Sequence, residues 1–339
     1  MGVKLSDIIT AQNVDFNFFK GKVLAIDFSN MCYQFLSSIR SPDGMPLSNS
    51  NGDVTSHLLG ITSRIPPLLS FGIKPIFVFD GEPPALKTRE RERRRDLKKR
   101  AEDKLQKARE DDDHHAVSKY ARQTIRITDD IIDSAKKLFT ALGLPVVQSP
   151  CESDAQGAYL VKTGQAYCVA STDFDNLLFG ATRMVTNLTL SSKRRLPSGA
   201  YVKNELKLFE LSNVLKSLAL NQKQLIALGI LVGTDYNPGG VFRIGPKKAL
   251  ALVKDCKDFD GMFSKLETNF DWHKVMDVFE NMEVDKDVSI KFNDIDKELL
   301  DNLLVKKFEF SEERVSKLIS MLEHYKKQNN QSSLSDWSN

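Results

Sequence analysis

The 339-residue chain has only four cysteines, Cys32, Cys151, Cys168 and Cys256, with no CxxC pair among them. That spacing argues against both a disulfide framework and a cysteine-based zinc site, and it fits a reducing compartment. The sequence also lacks any apolar run approaching the roughly 18 residues that cross a bilayer. Its first residues, Met1-Gly2-Val3-Lys4-Leu5, contain no signal-peptide core. Both absences give the expectation of an intracellular protein that is neither secreted nor held in a membrane. Internal repeats are missing too. A strong charge of one sign is missing as well: the formal net charge is +3, so any case for a nucleic-acid partner must rest on where the charge sits.

Three short apolar runs each end in an aspartate. They are Val23-Leu24-Ala25-Ile26-Asp27, Pro75-Ile76-Phe77-Val78-Phe79-Asp80 and Tyr167-Cys168-Val169-Ala170-Ser171-Thr172-Asp173, the last followed by Asp175. Continuous apolar runs of strand length separated by helix-like segments predict an α/β fold with a parallel sheet buried on both faces. The aspartates then fall at the C-terminal ends of the strands, the edge where open α/β sheets place their sites. Any one of them alone reads better as a strand-end turn or helix N-cap. Three together repel one another unless a cation neutralises them, which points to a Mg²⁺-type site. Glu152 and Asp154 repeat the two-apart spacing of Asp173 and Asp175, which lets both side chains of an extended segment point the same way.

Basic residues are concentrated in two places. From Lys87 to Arg100 there are nine Lys or Arg against three acids, in a run of good helix formers with almost no apolar residues. Such a helix has no core face of its own; it is either a solvated helix laced with i,i+4 pairs or, given the excess of positive charge so close to Asp80, a phosphate-binding one. Asp111-Asp112-Asp113-His114-His115 reads as a solvated connection between helices. Further on, Gly233-Thr234-Asp235-Tyr236-Asn237 and Ile244-Gly245-Pro246-Lys247-Lys248 bracket a turn between two helices. Lys247 and Lys248 sit in a first helical turn, where the helix dipole disfavours cations unless an anion binds there. Elsewhere, Ser29 or Asn30 is a candidate cap for the helix carrying Tyr33. Thr128 caps an amphipathic helix that ends at Gly143, and Ser311 caps a last helix.

Over nearly its full length the chain resembles the flap endonucleases of the archaeal and eukaryotic type. The resemblance is carried by Met1-Gly2-Val3, Ala25-Ile26-Asp27, Val78-Phe79-Asp80-Gly81-Glu82-Pro83-Pro84 with Leu86-Lys87, Pro150-Cys151-Glu152-Ser153-Asp154-Ala155-Gln156, Ser171-Thr172-Asp173-Phe174-Asp175 and Gly233-Thr234-Asp235-Tyr236-Asn237. It implies a parallel-sheet nuclease core (PIN-like) with a helical arch and a helix-hairpin-helix DNA-binding region. It also implies that Asp27, Asp80, Glu152, Asp154, Asp173, Asp175 and Asp235 hold two Mg²⁺ ions, or Mn²⁺ in their place. Lys87 and Arg94 match the basic pair that acts on the scissile phosphate, and Tyr33 matches an aromatic on which a base stacks. Gly2, Gly233, Asp235, Gly245, Lys247 and Lys248 complete the implied DNA contacts. The implied activity is 5′ flap endonuclease and 5′–3′ exonuclease action in replication (Okazaki fragment processing) and repair. DNA with 5′ flaps or nicks is the implied substrate. The protein is implied to work as a monomer in the archaeal cytoplasm or nucleoid, or the eukaryotic nucleus.

By the same resemblance the chain divides into an N-terminal nuclease region (1–98), an arch or connection (99–127), an internal nuclease region with the hairpin (128–257), a C-terminal helical region (258–327) and a flexible tail (328–339). The tail looks like a sliding-clamp peptide built on Gln331, Leu334 and Trp337, with Ser338 in place of a final aromatic. Two further departures stand out. Asp154 replaces a more usual Glu, and Phe242-Arg243 replaces a small, glycine-containing turn. An arginine resists the positive φ that glycine tolerates, which leaves the hairpin's usual monovalent-cation site open to question. Alternatives to a flap nuclease are a junction or bubble nuclease with the same core and, from another class, a catalytically idle DNA-junction binder or clamp-associated scaffold.

Overall fold

The computed structural model describes residues 3–41, 43–189, 193–195 and 201–335, with the backbone alone at 193–195, 201–203 and 327–335. Among the described residues the strands are β1 (Gln12–Val14), β2 (Val23–Asp27), β3 (Lys74–Phe79), β4 (Val146–Gln148), β5 (Cys168–Ala170), β6 (Arg183–Thr186), β7 (Lys193–Arg195), β8 (Tyr201–Lys203) and β9 (Leu206–Glu210). Seven of them form one sheet in the order β1-β9-β6-β5-β2-β3-β4, and β7 and β8 pair separately. Strands β2 to β6 run parallel, while β9 is antiparallel to both β6 and β1. The chain builds outward from β2 through β3 to β4, then crosses to the other side of β2 to place β5. Strand order therefore reverses between β2 and β5, where a doubly wound sheet opens a crevice at its C-terminal edge.

Side-chain alternation explains why both faces are covered. Leu24, Ile26, Phe77, Phe79, Cys168 and Ala170 enter one core, and Ala25, Ile76, Val78 and Val169 enter the other. Helices cover each core; among the described residues the helices are α1 (Phe28–Ser38), α2 (Ser56–Ser70), α3 (Thr88–Glu110), α4 (His114–Gln123), α5 (Asp129–Ala141), α6 (Ser153–Lys162), α7 (Asp175–Leu178), α8 (Leu211–Leu218), α9 (Gln222–Val232), α10 (Pro246–Lys254), α11 (Phe259–Phe263), α12 (Trp272–Asn281), α13 (Lys297–Leu300) and α14 (Glu312–Ser335), with a π-helical stretch at Asp301–Lys307, and all but α3 and α4 pack on the cores. Helices α1, α2, α5 and α14 lie on the Phe77 side, and α6, α7, α9 and α12 on the other. Phe139 of α5 stacks on Phe77 with ring centroids 3.6 Å apart and planes 12° apart. Phe139→Ala is expected to cost about 3–5 kcal/mol, read as a lower urea midpoint with an unchanged slope. Among the described residues no helix is long and apolar enough to cross a membrane.

Helices α3 and α4 form a pair that stands apart from both cores. Over residues 87–100 only Glu90 is buried; the apolar stripe begins at Ala101 and joins Leu105 and Ala108 to Val117 and Ala121 of α4 in a small cluster of its own. His114 and His115 lie in the first turn of α4, capped by Asp113, rather than in a loose connection. At α1 the cap is Asp27 itself, which accepts from the Asn30 amide at 3.0 Å, not Ser29 or Asn30. Thr128 does cap α5, and Gly143 follows it with φ 72°. Helix α14 continues to Ser335, past the 328 boundary expected for a tail; no Gly or Pro occurs after Gly261 to interrupt it.

Candidate active site

The edge where β2, β3 and β5 end carries the acids. Asp27 is buried, accepting from the Ser171 hydroxyl at 3.1 Å and the Ser153 hydroxyl at 3.4 Å as well as from Asn30. Asp80 follows β3, where its carboxylate accepts from the Ser153 amide at 2.8 Å and from the Ser29 hydroxyl. Glu152 caps α6 and Asp154 occupies its first turn, so the strand-to-helix turn after β4 delivers two acids beside those of β2 and β3. Asp173 leaves β5 and accepts from the Asp175 amide at 3.0 Å; Asp175 starts α7, buried, and accepts from the Val3 amide at 2.8 Å. Asn176 donates to both the Asp154 carboxylate and the Asp173 carbonyl, tying the α6 pair to the β5 pair. Asp235 arrives from the turn after α9. There Gly233, at φ 107°, would place a Cβ only 2.5 Å from the Gly240 amide nitrogen, so the close return of the chain requires glycine.

Crowding these carboxylates in one place changes their acidity. Burial, with the Asp80 charge adding to it, pushes Asp27 up to about 7. Burial also raises Asp154 and Asp175 well above the usual carboxylate range, and Asp173 is the largest charge acting on each. Glu152 is raised by burial against the pull of Lys87. Sites that hold anionic oxygens together at such a cost are suited to hard divalent cations. All seven donors are carboxylates, so the donor set fits Mg²⁺ or Mn²⁺ and not a thiolate-seeking metal.

The chain's own cations reach into this cluster. The Lys87 ammonium bonds the Glu152 carboxylate and lies 3.5 Å from Asp235. Burial lowers the Lys87 affinity for its proton, but Glu152 and Asp235 outweigh it and hold the amine above its usual value. Arg94 bonds both Asp235 oxygens, at 2.6 and 2.7 Å, while its Nε donates to Glu90 at 2.6 Å. Glu90, 3% exposed, also takes a forked pair from Arg93 at 2.7 and 2.8 Å. Among the described residues no three His, Cys, Asp or Glu side chains are arranged to hold a metal ion as they stand. Lys87 and Arg94 occupy positive positions between carboxylates that an incoming cation would also seek.

A stability prediction follows from these shifts. An unfolded aspartate titrates near 3.8 and Asp27 near 7, so between those values the folded state holds more protons than the unfolded one. Stability from this group is therefore lost as pH rises through that window. A divalent cation relieves the repulsion, so Mg²⁺ should raise the melting temperature more at about pH 8 than at about pH 5. Equal stabilisation at both would show that the ion binds elsewhere.

Tyr33 projects from α1 at 48% exposure. The turn 233–245 begins at the acids with Asp235 and ends with exposed Lys247 and Lys248 in α10, for which Gly245 is the N-cap residue. Arg243 adopts φ 61° despite its side chain, so the left-handed turn survives the loss of glycine. Its carbonyl accepts from the Lys248 ammonium at 3.4 Å. Gly2 and Trp337 lie outside the described residues, and only the backbone is described at Gln331 and Leu334. Ser29, Ser153, Ser171 and Asn176 orient the acids, and Asn237 locks the turn by accepting from the Thr234 hydroxyl at 2.7 Å and donating to the Ile230 carbonyl at 2.7 Å. Their adjacency to the acidic pairs is the one trace they leave in the sequence.

Comparison with known proteins places this edge in a class. The XPG N-terminal domain matches residues 1–101 and the XPG I-region residues 143–235, the two segments that supply the carboxylates. Over 338 residues the chain is 43% identical to flap endonuclease 1 of Pyrococcus furiosus, covering 99% of each. It is similar in structure to flap endonuclease-1 from Methanococcus jannaschii, with a TM-score of 0.76 at 37% identity over 96% of this chain and 98% of that one. The catalytic core of Rad2 in complex with DNA substrate aligns with a TM-score of 0.70 at 25% identity over 95% and 100%. These matches define an XPG-type nuclease fold. Within that class, the chain belongs to the flap endonuclease family.

Proposed function

We propose that this chain is a structure-specific 5′ flap endonuclease with 5′–3′ exonuclease activity, hydrolysing DNA phosphodiesters in replication and repair. The observation that carries it is the gathering of seven carboxylates at the sheet's switch point, with Lys87 and Arg94 of the α3 region turned into them. Asp27, Asp80, Glu152, Asp154, Asp173, Asp175 and Asp235 hold two Mg²⁺ ions, or Mn²⁺. Bound there, the ions supply charge stabilisation at the scissile phosphate and lower the pKa of an attacking water. Lys87 and Arg94 exchange carboxylate partners for phosphate oxygens and stabilise charge as it develops, while Glu90 fixes the plane of the Arg94 guanidinium. Tyr33 offers its exposed ring to a base beside the cleavage point, and Gly2 and Gly233 allow close approach of the strand.

Helices α3 and α4 act as the arch, and α9, the turn and α10 as the helix-hairpin-helix that holds duplex phosphates through Gly245, Lys247 and Lys248. A monovalent cation at this hairpin stays open, with the Lys248 ammonium 3.4 Å from the Arg243 carbonyl. The protein works as an intracellular monomer, and Gln331, Leu334 and Trp337 dock on a sliding clamp.

The reading is tested by comparing a 5′-labelled double flap with a matched single strand and a blunt duplex in Mg²⁺. Preferential cutting at the flap base supports it. Binding without cutting in either Mg²⁺ or Mn²⁺ supports a junction-binding scaffold instead. Replacing Lys247 and Lys248 together by alanine should flatten the slope of log affinity against log salt by up to about two, at about 0.9 per phosphate released from contact. An unchanged slope would mean that the two lysines are only solvated.

A further inference from the structure

Phe242 is 80% exposed, far above the other large hydrophobic side chains among the described residues. It sits at the tip of the turn between α9 and α10, beside Arg243, whose guanidinium lies 5.0 Å from the ring centroid. That pairing sets a positive charge beside the exposed ring. Behind it opens a cleft of about 660 Å³ between the turn and residues 265–267, lined by Phe242, Ile244, Leu252 and Leu266 with Arg243, Lys248 and Lys265. Glu267 is the one acidic side chain on its wall. An apolar floor with cations along its rim complements a sugar–phosphate strand, whose deoxyribose faces are apolar and whose phosphates are not. A protein surface has no corresponding regular alternation.

We propose that Phe242 packs on the deoxyribose of one strand of a duplex lying along this cleft, with Arg243 and Lys248 on the flanking phosphates, and that the contact selects a DNA strand over an RNA strand. The proposal rests on the reading of the hairpin as a duplex-binding element. Selection follows from chemistry at the ring. A 2′-hydroxyl pressed against Phe242 loses water and finds lysine and arginine donors around it but only Glu267 as a side-chain acceptor, so part of its hydrogen bonding is forfeited. The apolar contact also adds affinity that does not depend on counterion release, unlike the lysine contacts.

The test uses the full chain in Ca²⁺, with fluorescence anisotropy on a labelled double flap over a salt series. Phe242→Ser should weaken binding about tenfold at every salt concentration with the slope unchanged. Arg243→Gln should lower the slope by about one. Two further duplexes, each with one of the two long strands made of RNA, complete the experiment. The parent should discriminate against one of them, and Phe242→Ser should lose that discrimination. If the parent binds and cuts but Phe242→Ser binds DNA and both hybrids as the parent does, this proposal fails alone, and the cleft belongs to another partner. If the parent binds no branched DNA, the reading it rests on fails with it.

Discussion

Asp173→Asn is expected to abolish flap cleavage, by on the order of 10³-fold or more under single-turnover conditions, while leaving substrate binding in Ca²⁺ intact or tighter. Asp173 leaves β5 beside the strand-order reversal, and its charge acts on both Asp154 and Asp175. Asparagine keeps the shape, and its amide oxygen can still accept from the Asp175 amide, but the negative charge that would hold a cation is gone. The hairpin proposed to grip the duplex lies at the far end of the turn after α9, so binding should not depend on this carboxylate. Lower repulsion of the phosphate favours it. A variant that loses binding and cutting in parallel would mean that Asp173 organises the fold rather than the chemistry.

Lys87→Ala and Arg94→Ala should each slow the chemical step by on the order of 10²–10³-fold if, as proposed, each supplies a cation to the charge that develops on the phosphate. Their present partners sharpen the expectation. Lys87 is bonded to Glu152 and lies 3.5 Å from Asp235, to which Arg94 is also bonded, so removing Lys87 strips Glu152 of its cation and removing Arg94 weakens the pairing of Asp235. Affinity for Mn²⁺, measured by electron paramagnetic resonance, should hold or rise, and the metal-free variants should melt earlier than the parent with the loss recovered on adding Mg²⁺. Glu90→Gln should give a smaller loss in the same step, since it loosens the Arg94 plane without removing the charge. A fall in Mn²⁺ affinity would place Lys87 and Arg94 in the support of the metal site instead of on the phosphate.

The acidic edge is legible in the sequence because the apolar runs stop at Asp27, Asp80 and Asp173 and because a parallel sheet sends all such stops to one side. The unbroken burial of β2 and β3, with side chains alternating between the two cores, gives the reason: both faces are covered, so no polar residue interrupts the runs. The caps of α5 are equally legible, since Thr128, the early acids and Gly143 act within one turn. Longer-range choices are not. Asp27 as the N-cap of α1 is the reading open to any strand-end aspartate; what nothing local gives is that the same carboxylate also accepts from Ser153 and Ser171 of other segments. The inward turn of Lys87 and Arg94 is hidden for the same reason: their partners lie 65 and 141 residues away. At Arg243 the residue type argued against a left-handed backbone, yet Arg243 adopts φ 61° in the same turn in which Gly239 and Gly240 also take positive φ.

The central claim, that these carboxylates hold the divalent ions with which the protein cuts flaps, is tested most directly by single-turnover cleavage of one labelled double flap titrated with Mg²⁺, run in parallel on the parent and Asp173→Asn. The parent should be silent in chelator and cut at a single position as Mg²⁺ rises, while Asp173→Asn stays uncut across the titration with the substrate bound. Cutting by the parent in chelator, or by Asp173→Asn at the parent's rate, would contradict the account.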